Sequence, residues 1–148
     1  ELSMKGRSRN GGILVPAVGG SVREQMQKLV DDGLGIYIMP DQDPPEGRGV
    51  FAPFFGNLAH TPTLVHRLLQ KRKVPVVLMW VKRLSWGRGF RVYIAEASPG
   101  IYDADPVKSA TSMNADFEAF VRDCPEQYWW GYKRFRRQPP GAPPFYPK

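Results

Sequence analysis

Two apolar runs separated by turn chemistry constrain this chain most. Val74 to Val81 is rich in β-branched residues, and Phe90 to Glu96 alternates as Phe-Arg-Val-Tyr-Ile-Ala-Glu. Ser85-Trp86-Gly87-Arg88-Gly89 lies between them, so the pair reads as an antiparallel hairpin. Helical patterns flank it. Thr61-Pro62 is a helix start with Pro at the first helical position, followed by a stripe of Leu64, Val65, Leu68 and Leu69 to about Arg72. Asp105-Pro106 starts a last long helix carrying Val107, Ala110, Met113, Phe117, Phe120 and Val121. Upstream, Ser21 is placed to cap a helix through Val22, Met26, Leu29 and Val30 that Gly33 closes. Leu34 to Met39, bounded by Gly33 and Pro40, predicts a buried strand, and a long loop is expected from Pro40 to about Ala59. The resulting order implies an α/β fold, a mixed sheet with flanking helices. In such sheets, chemistry gathers beyond the carboxyl ends of strands, which points to the loop after Met39.

A chain of 148 residues has the size of one ordinary domain. Its 15 prolines gather at Pro44-Pro45 and near the end, predicting ordered loops and a Pro-rich tail over 139–148, with the domain at 1–138. A formal charge of +7 favours an anionic partner: nucleic acid, an acidic carrier protein or an anionic membrane surface. Cys124, the single cysteine, excludes an intramolecular disulfide and a Cys-based zinc cluster, and is expected as a small buried residue. No run of about eighteen apolar residues is present, so no transmembrane helix is predicted. The start at Glu1, without a signal peptide or initiator methionine, is what a fragment or processed chain would show.

The segment from Pro40 to Gly56 carries the chemistry. Asp41 and Asp43, one residue apart, can face the same side of an extended segment, a layout suited to metal binding or acid/base work. They can equally cap turns before Pro44. Glu46 and Arg48 add an opposite-charge pair.

Residue order then narrows the field. Asp-Gln-Asp-Pro at 41–44, followed by Phe-x-Pro-Phe-Phe-Gly at 51–56, resembles the lipid A biosynthesis acyltransferases of the lauroyl/myristoyl type. The resemblance continues through Val74-Pro75-Val76-Val77, Lys82-Arg83, Gly89-Phe90-Arg91-Val92 and Met113-Asn114. It extends to Pro125-Glu126-Gln127-Tyr128-Trp129-Trp130 and Lys133-Arg134-Phe135-Arg136-Arg137, and upstream to Gly6-Arg7-Ser8-Arg9. It implies part of a glycerolipid-acyltransferase-like fold and transfer of a fatty acyl chain from acyl carrier protein to a Kdo-bearing lipid A precursor. The parent enzyme would act at the cytoplasmic face of the bacterial inner membrane, with no metal or soluble cofactor. The family's general base is the His of a His-x-x-x-x-Asp/Glu motif. Neither His60 nor His66 fits, since Val65 and Lys71 stand five residues on. His60 is therefore expected as a loop or helix-entry residue and His66 as a surface or partly packed one. The chain is expected to be an incomplete portion, inactive alone, with its catalytic His motif upstream.

The resemblance implies supporting catalytic roles for Asp41 or Asp43, and substrate contacts from Arg7 or Arg9 and from Arg48. Arginine suits phosphate because it binds two oxygens at once. At the C-terminus, Trp129, Trp130, Lys133, Arg134, Arg136 and Arg137 form an aromatic-basic patch suited to an anionic leaflet. One tryptophan is expected to face inward and the other outward. The rival reading is a non-catalytic basic module that binds anionic lipid, acyl carrier protein or nucleic acid, although no nucleic-acid motif appears. An exposed apolar face is expected wherever a missing portion should pack.

Overall fold

The computed structural model describes residues 22–147. The chain divides into two compact units, Glu1–Tyr37 and Ile38–Lys148. In the first, α1 (Val22–Asp31) ends where expected. Gly33 adopts a positive φ of 75°, and the Leu34 amide donates to Leu29 O at 2.8 Å, closing the last turn. Arg7, Arg9 and the Ser21 cap lie outside the described residues.

The expected strand at residues 34–39 is not formed. Leu34, Tyr37 and Met39 are instead exposed. A strand exists only through a hydrogen-bonded neighbour, and no described segment pairs with this one.

The second unit opens with a hairpin where a loop was expected. β1 (Gly49–Phe54) pairs antiparallel with β2 (Asn57–Pro62), with Phe51 opposite His60 and Ala52 opposite Ala59. Phe55 and Gly56 make the turn with φ of 48° and 74°, the left-handed geometry that matches strand twist. Because Thr61 and Pro62 finish β2, α2 begins two residues later than expected and spans Leu64–Lys71.

β3 (Val77–Arg83) and β4 (Phe90–Glu96) form the expected hairpin, with Met79 opposite Ile94 and Val81 opposite Val92. A 3₁₀ turn at Pro99–Tyr102 leads to α3 (Pro106–Asp123). Asp105 caps α3 by accepting from the Val107 amide at 2.8 Å. The single mixed sheet of the sequence reading is thus replaced, among the described residues, by two separate two-stranded antiparallel sheets. The strands on either side of α2 do not pair with each other. The fold is mixed α/β.

α3 organises the unit. Met113 joins Leu69 and Ile101 in the core, with Val65, Val74, Val76 and Phe117 packed around them. Phe120 stacks on Trp80 of β3 at 4.0 Å between ring centroids. Glu118 accepts the Phe55 amide at 2.6 Å, tying the first hairpin's turn to the same helix. Cys124, expected to be buried, is only partly so, and its thiol donates to Glu126.

Candidate functional site: a buried carboxylate shared by histidine and arginine

Asp43 is the centre of the site, and its side chain has no exposed surface. Oδ1 accepts from His60 Nδ1 at 2.7 Å, and Oδ2 accepts from Arg136 Nε at 2.8 Å. Arg137 Nε stands 3.4 Å from Oδ1 as an ion pair without hydrogen-bond geometry. The Asp43 amide donates to the Tyr132 hydroxyl at 2.8 Å, which fixes the backbone as well. The structure shows this aspartate as the shared partner of three side chains. Both oxygens are committed to cations or polar hydrogens from distant parts of the chain.

Burial alone pushes the Asp43 carboxyl upward. The hydrogen bonds from Arg136 and His60, with the charges of Arg137 and Arg136, outweigh it and hold the group below its ordinary value.

A second layer holds His60. Arg134, only 3% exposed, donates to His60 O at 2.7 Å and to Thr61 Oγ1 at 2.9 Å. Asn114 of α3 donates to the same Thr61 hydroxyl at 3.0 Å and to Pro53 O at 2.8 Å. These groups join β1, β2, α3 and the C-terminal segment in one polar network. Burial lowers the Arg134 guanidinium from its ordinary value, while Tyr128, Tyr132, Asp41 and Asp43 oppose that shift. Tyr128 is pushed up to about 12, chiefly by burial and then by Asp41.

Gly49 is required by this packing. A Cβ there would stand 2.6 Å from Pro44 Cγ, 2.7 Å from His60 Nε2 and 2.8 Å from Thr61 O. The hairpin strand can pass over the imidazole only without a side chain at this position.

Other expected site residues fall as follows. Asp41 is half-buried and acts on Arg134 and Tyr128 through space. Arg48 is exposed, and its expected partner Glu46 lies instead 3.7 Å from Arg137. Arg134 was expected on a lipid-facing surface and is instead buried, because β2 needs its donors. Lys133 and Arg136 are exposed, whereas Arg137 is half-buried. Trp129 and Trp130 both face outward, at 67% and 57% exposure, rather than dividing between core and surface. His60 is no loop residue: it lies in β2, and Asp43, 17 positions away, holds its ring. Its neighbour Thr61 and the distant Tyr132 and Asn114 are the other contributors missed as site residues. Of these, Asn114 alone lay in a block that carried the resemblance, Met113-Asn114, while Tyr132 stood between two others.

Asp43, Asn114 and the arginines of 134–137 lie in the ordered blocks on which the family resemblance rests, and the correspondence extends over the chain. Residues 1–137 match the model of the bacterial lipid A biosynthesis acyltransferases. The chain belongs to that family. It is 33% identical over 117 residues to the lipid A biosynthesis palmitoleoyltransferase of Escherichia coli (strain K12), covering 77% of this chain and 37% of that protein. It is 31% identical over 124 residues to the lipid A biosynthesis lauroyltransferase of the same organism, covering 82% and 40%. The myristoyltransferase is 31% identical over 114 residues, covering 76% and 35%. The chain therefore spans well under half the length of these relatives.

Proposed function

We propose that this chain is the C-terminal portion of an acyltransferase of lipid A biosynthesis. Its full enzyme would move a fatty acyl chain from the thioester of acyl carrier protein to a hydroxyl of a Kdo-bearing, phosphorylated lipid A precursor at the cytoplasmic face of the inner membrane. The observation that carries this reading is convergence. The Asp-Gln-Asp block, the Phe-x-Pro-Phe-Phe-Gly hairpin, Asn114 and the Arg134–Arg137 segment meet around one buried carboxylate.

The residues divide the work. Asp43 has both oxygens engaged by His60, Arg136 and Arg137, so it braces the two arginines. A guanidinium held through Nε keeps its outer nitrogens for a second oxyanion, here a phosphate of the acceptor. Arg48, and Arg7 or Arg9, would add contacts to the same charge, and Asp41 is the carboxylate left near the reacting centre. Trp129, Trp130 and Lys133 would rest on the anionic headgroup plane. The general base that deprotonates the acceptor hydroxyl would come from the rest of the enzyme.

The test is acyl transfer from acyl carrier protein to the Kdo-lipid A precursor, with this chain alone and as part of a full-length enzyme. Transfer only by the full-length form, lost on Asp43→Ala and kept on Lys108→Ala, is the expected outcome. Transfer by the chain alone would move the base to His60 or His66 and overturn this division of roles.

A further inference from the structure

We propose that the outer face of the β3–β4 hairpin is an interface for the remainder of a full-length enzyme, a polypeptide that lays an apolar layer across it. The inference rests on the reading above that the chain is one portion of a longer acyltransferase. The inner face, with Leu78, Trp80, Tyr93 and Ala95, lies toward α3, where Trp80 stacks between Tyr93 and Phe120. The outer face carries Val77, Met79 and Val81 from β3 and Phe90, Val92 and Ile94 from β4, and all six are between 47% and 69% exposed.

An antiparallel ribbon that lives with one face in water alternates apolar and polar residues. This one does not. Only Arg83 and Glu96, at opposite ends of the outer face, are charged there. Strands apolar on both faces belong between two packed layers, and α3 supplies one of them.

Three occupants could cover the face, and two fit less well. A lipid bilayer would strand the backbone groups on the open edges of a two-stranded sheet, which hydrocarbon cannot satisfy. A second copy could bury the ribbon against itself, but would account for none of the relatives' length beyond the match. The remainder of the enzyme has the length to do it. The palmitoleoyltransferase and lauroyltransferase relatives have 37% and 40% of their length matched by this chain, so most of each lies outside the match.

The experiment places one thiol on the face, Ile94→Cys in a Cys124→Ala chain, and follows its reaction with a maleimide. A second thiol at the exposed Lys108 of α3 reports on folding and general access. Reaction is measured on the chain alone, at rising concentration, with vesicles of phosphatidylethanolamine and phosphatidylglycerol, and with the unmatched portion of the Escherichia coli palmitoleoyltransferase supplied as a separate chain. The expected result is protection of position 94 by that portion alone, by roughly tenfold or more if the face is covered nine-tenths of the time, with position 108 reactive throughout. Ile94→Glu should abolish co-purification of the two chains.

Protection by concentration would assign the face to a second copy, protection by vesicles would assign it to lipid, and protection by nothing would leave it solvent-facing. Each of these overturns the inference, as does co-purification that survives Ile94→Glu. The readout is separate from catalysis. A protected thiol without acyl transfer would sink only the functional reading, and transfer with an unprotected thiol would sink only this one.

Discussion

The two hairpins of the second unit are built alike and finished differently. Each is antiparallel and two-stranded, and each is tied to α3 by contacts from one side. β1–β2 is closed by its own chain. Arg134 holds its second strand, Asn114 bridges its two strands, and Ala52, Ala59 and Thr61 have no exposed surface. β3–β4 is closed on one face only, and its second face is a row of six exposed apolar side chains. Burial cost explains the contrast. Polar groups buried around Asp43 must find partners inside the chain or the hairpin would not form. Apolar groups on an open ribbon lose only a burial gain that another surface can still supply.

The sharpest way to break this comparison is Asp43→Ala. It leaves His60, Arg136 and Arg137 around a site without its carboxylate. The expected loss is about 3 kcal/mol, the lower end of the cost of breaking a buried pair because Arg136 is itself solvated. Urea unfolding followed by tryptophan fluorescence measures it, and a loss no larger than that of a surface substitution would mean the first hairpin is not held by this network.

Gly49→Ala comes next, at roughly 1–3 kcal/mol, because the new methyl must displace Pro44, His60 or the Thr61 carbonyl. The same unfolding experiment reads it, and a neutral outcome would show that the strand can lift off the imidazole at little cost.

Acid should separate the hairpins by a smaller amount. Asp43 is held below its ordinary value in the folded chain, so its contribution is fully present above the carboxylate value of the unfolded chain. That contribution fades as the pH falls below that value and through the folded one. Stability measured from neutral pH down through that window should drop more for the parent chain than for Asp43→Asn. Parallel curves would remove Asp43 from the acid response.

Val92→Thr on the open ribbon is the smallest effect, within about 0.5 kcal/mol for the isolated chain, since it removes exposed rather than buried surface. A loss comparable to that of Gly49→Ala would mean the ribbon face is already covered.

Local chemistry was legible and long-range pairing was not. Asp105-Pro106 announced the start of α3, and the Asp105 side chain caps it. Phe90 to Glu96 announced β4 by alternation, since a period of two needs only the residues of the strand itself. β1–β2 was hidden because its turn is Phe55-Gly56 rather than Asn-Gly or Asp-Gly, and because Pro53 inside β1 argues against a strand. Leu34 to Met39 has strand composition, but a strand also needs a neighbour, which composition does not reveal. Asp43 was singled out for its motif, while its partners stand 17 and 93 positions away, a relation no spacing rule encodes. Arg134 illustrates the same limit: four cations in five residues read as a face for an anionic leaflet, yet one of them turns inward to serve β2.

The bond from Arg134 to His60 spans 74 positions, and that from Arg136 to Asp43 spans 93. On a ribosome, the first hairpin would emerge long before the arginines that secure it. Until the final segment has been made and has closed those loops, Asp43 and His60 have each other but no guanidinium. The site therefore cannot be complete before the final segment has joined it. Proteolytic clipping after Gly131 would remove those arginines while cutting within no strand or helix named above.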